Sequence, residues 1–303
     1  MGTADNYKGD AQTGVKKIFG DKALAARANR EGTFFSSANS INWGRLAPQI
    51  VYYVSAYCDL VAGGTIKLGD KINVAVPTGN FGNIFAAYVA RLMGLPIARL
   101  ICASNANNVL TDFIKTGVYD RRRTFHETMS PSMDILISSN LERLLYILGG
   151  SEMTRGLMRQ LSENSVYTAP ASVMAKLRDV FSGYWCSEEE TAGTIRSAFE
   201  EIGYLADPHT AVGLGAVRKY RAETGDRTLV VLASTASPFK FPADVLASLG
   251  KPSASDDPAT LLSALRDARR CQIPKPLEKV LSLPVRFTGV TDKEDMPAVV
   301  FGD

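Results

Sequence analysis

Histidine, cysteine and long apolar runs are scarce in this 303-residue chain, and each scarcity excludes a class of function. The two histidines, His126 and His209, stand in no HExxH or triad-like arrangement, so metal-dependent hydrolysis and Ser/His/Asp chemistry find no support. The four cysteines, Cys58, Cys102, Cys186 and Cys271, are far apart and form no CxxC pair. That spacing argues against a zinc site or a disulfide framework and suggests buried free thiols. No apolar stretch has the length of a membrane span, and the N-terminus has no secretory pattern. Asn6 stands where a myristoylation motif needs Ser or Thr. We therefore expect a cytoplasmic protein. Excess charge is also missing. The net charge is +3, and the clusters Arg121-Arg122-Arg123 and Arg269-Arg270 are isolated, so they read as solvated turns rather than a nucleic-acid footprint.

What remains is an ordinary globular composition, 46% apolar and 21% charged. The length suits one large α/β domain or two smaller ones. Helix signals cover Lys22 to Asn29. A short strand is expected over Thr33 to Ser36. The cap-rich segment Asn39-Ser40-Ile41-Asn42 precedes Leu46, Ile50, Val54, Tyr57 and Val61, whose spacing makes one helix face. Ile72 to Val76 and Ile97 to Ala103 are continuous apolar strands separated by a helix over Asn83 to Met93. This strand–turn–helix–strand unit implies a parallel sheet. Further helices are expected over Leu141 to Leu148, Glu152 to Leu161 and Ala171 to Phe181. Ser187 and Glu190 form a capping box before Thr191 to Ile202. Asp207-Pro208 starts a helix running towards Tyr220. Thr228 to Ala233 is another strand, and Pro242 to Gly250 a final helix before a polar loop and a proline-rich tail.

Two segments carry candidate chemistry. Gly79-Asn80-Phe81-Gly82-Asn83 joins the first strand to its helix. Its glycines permit positive φ, and its N–H groups, with the helix N-terminus, can gather around a phosphate. The side chains of Asn80 and Asn83 can add hydrogen bonds. A tight turn with no ligand explains the same residues. The segment is neither a P-loop nor a GxGxxG fingerprint. At the end of the later strand, Ser234-Thr235-Ala236-Ser237-Pro238 puts Thr235 where a hydroxyl can face a heterocycle nitrogen. A helix cap at Ser237 followed by Pro238 explains that segment locally, and on the residues alone it is the simpler account. His209 reads as structural, and His126 has no evident role.

Several segments in order resemble the threonine synthases. They are DAQTGVKKIF (10–19), SSANSINWGRLAPQIVYY (36–53), VAVPTGNFGNIFAAYVARLMGLPI (74–97), NVLTDFIKTGVYDRR (108–122), MSPSMDILISSNLERLLY (129–146), DPHTAVG (207–213), LASTASPFKFP (232–242) and LPVRFTG (283–289). The resemblance implies an α/β fold of type II of the pyridoxal-phosphate (PLP) enzymes, a mostly parallel sheet flanked by helices. It implies conversion of O-phospho-L-homoserine and water to L-threonine and phosphate. It assigns Gly79, Asn80, Phe81, Gly82 and Asn83 to the PLP phosphate and Thr235 to the pyridine nitrogen. The family's cofactor lysine lies in a Ser-Phe-Lys-Asp type motif that this chain lacks. Lys8, Lys16, Lys17 and Lys22 stand in unrelated contexts, so no catalytic residue is assigned. The resemblance then implies residues 1–35 as the remnant of a small domain and 36–303 as the large PLP-binding domain with its tail. It implies an incomplete chain, inactive alone, with the lysine-bearing segment as a partner in trans. Other readings are a serine or threonine dehydratase of the same fold, a non-catalytic protein that binds a phosphate ligand or a partner, and a nucleotide-binding protein.

Overall fold

Burial on both faces explains why the first two strands read as unbroken apolar runs. The structure is a computed structural model that describes residues 14–15, 17–36, 39–269, 272–286 and 288–302. Strand β1 (Ile72–Pro77) pairs in parallel with β2 (Ile97–Ser104), and every residue of β1 is buried. Between them runs helix α2 (Gly82–Leu92), preceded in the chain by α1 (Ile50–Ala62). The chain continues through α3 (Val109–Thr116), β3 (Val118–Asp120), α4 (Leu141–Asn164), β4 (Val166–Thr168), α5 (Ala171–Val180) and β5 (Phe181–Trp185). It ends this unit with α6 (Glu188–Ile202), α7 (Pro208–Thr224), β6 (Val230–Leu232), α8 (Pro242–Ser248) and α9 (Pro258–Arg269).

The main sheet has the order β5-β2-β1-β6, with all pairs parallel. Val74, Val76, Leu100 and Cys102 face one core with residues of α2, α3 and α5. Ala75, Ile101 and Ala103 face the other, against Val212, Ala216, Val217 and Tyr220 of α7. Helices on both faces of a parallel sheet are what crossover connections produce. A cradle of small residues lets α7 lie close. A Cβ on Gly213 would fall 2.5 Å from Leu232 Cδ1, and one on Gly215 would fall 2.6 Å from Cys186 Sγ.

Strand β1 leads to β2 and then β5 on one side, whereas β6 returns on the other side of β1. The strand order therefore reverses between β1 and β6. In open parallel sheets, ligands sit beyond the carboxyl ends of the strands at such a reversal.

Several sequence expectations need correction. Thr33 to Ser36 forms no strand; it follows the helix Lys22–Arg30 as irregular chain. The cap-rich segment opens a short turn of helix, Trp43–Leu46, and Pro48 then keeps Ala47–Gln49 in a 3₁₀ turn before α1. On α1 the buried side chains are Tyr53 and Tyr57, while Val54 is exposed. The two helices expected between 141 and 161 are the halves of α4, broken at Gly150 (φ 80°, ψ 175°). Helix α3, strand β5 and the antiparallel pair β3–β4 were not anticipated. Cys102 and Cys186 are buried as expected, and burial pushes their thiols up to about 12 and about 11. Cys58 is exposed. Cys271, Lys8, Lys16 and half of segment 10–19 lie outside the described residues, as does Arg270.

The chain divides into two compact units. Asn39–Pro274 forms one compact unit, and Lys275–Asp303 groups with the stretch up to Ala38, not with the larger unit. Within this smaller unit the Phe301 ring lies 6.1 Å from Phe35 and 4.2 Å from the Arg27 guanidinium carbon. No helix among the described residues is long and apolar enough to cross a membrane.

The capping box is present: Ser187 Oγ accepts from the Glu190 N–H (3.1 Å), and the Glu190 carboxylate accepts from the Ser187 N–H (2.9 Å). Ser187→Ala is expected to destabilise the unit by about 1 kcal/mol, measured by urea denaturation.

Candidate functional site

The turn after β1 is shaped by its neighbours more than by glycine flexibility. Neither Gly79 nor Gly82 has positive φ; the left-handed residue is Phe81 (φ 64°, ψ 0°), directly before α2. Both glycines are needed for another reason. A Cβ on Gly79 would fall 2.6 Å from the Ser132 carbonyl oxygen, and one on Gly82 would fall 2.5 Å from Ser40 Cβ. The Phe81 ring is buried and lies 5.7 Å from that of Phe181, which anchors the strained residue.

The carbonyls of this turn are occupied. Ser138 Oγ donates to Gly79 O (2.7 Å). Asn140 donates to Asn80 O twice, from its backbone N–H (3.0 Å) and its side-chain amide (2.9 Å). Tyr53 donates its hydroxyl to Asn83 Oδ1 and to Asn83 O. Burial pushes the Tyr53 hydroxyl above its ordinary range, so it remains a donor.

The donors of the turn meet no acceptor among the described residues. Helix α2 has no side-chain cap, and the N–H groups of Gly82, Asn83 and Ile84 donate to no acceptor among the described residues. These three residues line a cavity of about 180 Å³ together with Ser40, Gln49 and the segment 76–81. Uncapped N–H groups and the positive end of the helix dipole together make an anion site.

Thr235 follows β6. The register Ala75↔Leu232 continues with the Ala233 N–H donating to Ala75 O (2.9 Å), so Thr235 leaves the sheet at the same end as the glycine turn. Thr235 is exposed, is not among the cavity-lining residues, and has no hydrogen-bond partner among the described residues. Ser237 caps a 3₁₀ turn at Pro238–Lys240, which is the local role its sequence suggested. Asn42 likewise caps its helix, by accepting from the Gly44 N–H (2.9 Å). Lys17 and Lys22 are exposed in the smaller unit, and no lysine lines the cavity among the described residues.

Sequence reasoning missed Ser138 and Asn140, which reach the turn from about sixty residues away. It also missed a polar cluster that fixes the loop after β3. Asn105 donates to Ser130 Oγ (3.0 Å) and Asp134 Oδ1 (2.7 Å), and Asn107 holds the His126 backbone through both its N–H and its carbonyl. His126 thus contributes main chain; its side chain is exposed. His209 is buried between Asp207 and Ser132. Burial alone would raise the Asp207 carboxyl, but hydrogen bonds from His209 and Thr210 bring it below its ordinary value, so it stays ionised.

Residues 210–300 match the family model described as "Threonine synthase, C-terminal". The human protein threonine synthase-like 1 is 46% identical over 243 residues, which is 78% of this chain and 32% of that protein. The threonine synthase of Saccharomyces cerevisiae is 38% identical over 256 residues, covering 79% of this chain and 48% of that one. Among solved structures, the PLP-bound threonine synthase of Brucella melitensis superimposes with a TM-score of 0.72 at 35% identity, over 88% of this chain and 59% of its own. Yeast threonine synthase gives a TM-score of 0.80 at 32% identity, over 98% and 58%. These matches bear out the expected α/β fold. The chain spans from about a third to somewhat over half the length of these relatives.

Proposed function

Since this chain belongs to the threonine synthases over the region it spans, we propose that it provides the cofactor-holding part of a PLP-dependent enzyme that turns O-phospho-L-homoserine and water into L-threonine and phosphate. The observation that carries this reading is the uncapped start of α2, which opens into the cavity at the reversal between β1 and β6. The residues fit the cofactor's two polar ends. The N–H groups of Gly82, Asn83 and Ile84 suit its phosphate. The cavity, at about 180 Å³, is smaller than the roughly 300–1,000 Å³ of whole-ligand pockets, so it suits the phosphate end rather than the entire molecule. The free Thr235 hydroxyl, at the same end of the neighbouring strand, suits the ring nitrogen.

When bound, PLP supplies an electron sink for carbanions next to the substrate amine. The residues of this chain hold and orient it. Gly79 and Gly82 keep the turn pressed against Ser132 and Ser40. Ser138 and Asn140 engage the carbonyls of Gly79 and Asn80, so N–H groups rather than carbonyls meet the anion. Thr235 would donate a neutral hydrogen bond, which would leave the ring less cationic than a carboxylate partner would.

Proton transfer at the substrate carbon requires a base, and the cavity lining holds no lysine among the described residues. We therefore read the covalent and proton-moving steps as requiring an amine from beyond this lining, with a lysine-bearing segment as the partner. The same observation favours a second reading, in which the chain binds a phosphate ligand without turning it over. Thr235→Val is expected to weaken pyridoxamine 5′-phosphate by up to about tenfold, the upper end for one neutral hydrogen bond, and to leave inorganic phosphate unchanged. Calorimetric titration of both ligands checks this. Equal loss of both, or of neither, counts against Thr235 as the ring partner.

A further inference from the structure

Asp207 is 1% exposed, and its two oxygens are used differently. Oδ1 caps α7, accepting from the backbone N–H of His209 (2.9 Å) and Thr210 (3.3 Å), and it also meets His209 Nδ1 (3.2 Å). On the far side of the imidazole, Nε2 accepts from the Ser132 N–H (3.2 Å). An imidazole nitrogen that accepts cannot carry a proton, so Nδ1 is the donor to Asp207. Ser132 in turn presses its carbonyl oxygen to within 2.6 Å of where a Cβ on Gly79 would stand. This arm ends on the turn after β1.

Oδ2 serves a second arm. It accepts from the Thr210 hydroxyl, which spends that group's one proton. Thr210 Oγ1 therefore accepts from Ser234 Oγ (3.2 Å), and Ser234 Oγ accepts from the Tyr204 hydroxyl (3.2 Å). The chain of donors runs Tyr204, Ser234, Thr210, Asp207 and ends on the carboxylate. This arm fixes the residue beside Thr235, at the end of β6.

We propose that Asp207 is a positioning residue that sets the two halves of the site relative to each other, the turn after β1 through His209 and the end of β6 through Thr210. Helix capping alone does not require this arrangement, because Oδ1 and the two backbone N–H groups complete the cap. The proposal rests on the cofactor reading for its purpose, but not for its geometry.

Hydrogen exchange on the whole chain, read by peptide mass, tests the geometry. Thr210→Val removes only the second arm. It is expected to speed exchange about tenfold in peptides spanning 233–237 and to leave 79–83 and 131–134 unchanged; Thr210→Ser, which keeps the hydroxyl, restores the wild-type pattern. His209→Leu is expected to speed exchange in peptides spanning 131–134, where His209 and Ser130 hold the Ser132 and Met133 N–H groups, and to leave 233–237 unchanged. Asp207→Asn keeps a good cap and is expected to loosen the second arm or both arms, while the core amides of α7 keep their protection. Uniform acceleration in all three variants, or no change in 233–237 for Thr210→Val and Asp207→Asn, overturns the proposal. Binding of inorganic phosphate and pyridoxamine 5′-phosphate separates its purpose. Thr210→Val is expected to weaken only the second ligand, and His209→Leu both. If the wild-type chain binds neither ligand, the cofactor reading fails and the exchange pattern still decides the role of Asp207.

Discussion

Replacing Gly79 by alanine is expected to abolish phosphate binding while the sheet stays folded. The added Cβ would stand 2.6 Å from Ser132 O and 3.3 Å from Met133 Cα, and both are backbone atoms. Those atoms cannot retreat easily. The Ser132 N–H is held by His209, the Met133 N–H by Ser130 O (2.9 Å), and Asp134 by Asn105, Asn107 and Thr128. The turn itself must therefore move, taking the first N–H groups of α2 with it. Overpacking of this kind costs about 1–3 kcal/mol in stability, and a shift of the donors costs the anion site its geometry. We expect no measurable phosphate affinity by titration and a lowered midpoint in thermal melts. Gly156→Ala is the control: nothing stands within 4 Å of its added Cβ, and it lies inside α4. That variant should be stabilised by roughly 0.5–1 kcal/mol with phosphate binding intact.

Phe81 should give the largest change in stability. Phe81→Ala deletes a buried ring, at a cost of about 3–5 kcal/mol, and leaves a non-glycine residue in the left-handed region. Phe81→Gly deletes the same ring but removes that backbone strain, worth about 1–2 kcal/mol for an L-residue. The glycine variant should therefore be the more stable of the two by about 1 kcal/mol, the reverse of their order inside a helix. Urea denaturation of the three proteins measures it. An alanine variant at least as stable as the glycine one would show that the strained backbone at position 81 is not maintained.

The sequence made some of this legible for definite reasons. Strands β1 and β2 are buried on both faces, so their residues are almost all apolar and the runs stand out. The start of α7 was readable because Asp207-Pro208 is a local signal, cap followed by proline. The glycine turn was found, but for a partly wrong reason. Its glycines make room for Ser132 and Ser40, and the positive φ falls on Phe81, whose cost is offset by a tertiary contact with Phe181. Strand β5 was hidden because Phe-Ser-Gly-Tyr-Trp is short and interrupted. Gly183 is needed there because a Cβ would come within 3.0 Å of Thr111 Cα on α3, a constraint absent from local sequence. Ser138, Asn140 and the two arms of Asp207 were equally hidden. Each acts across the chain, and nothing in its neighbours marks its partner. The tail's association with Phe35 and Arg27 belongs to the same category.

The central claim is that this chain holds the phosphate and ring of PLP without supplying the lysine. Titration with PLP, followed by borohydride reduction and mass analysis, tests it most directly. The account predicts saturable binding, competed by inorganic phosphate, with no single lysine carrying the reduced adduct. One reducible adduct at stoichiometric yield on one lysine of this chain would contradict it, because the cofactor amine would then lie within the chain after all.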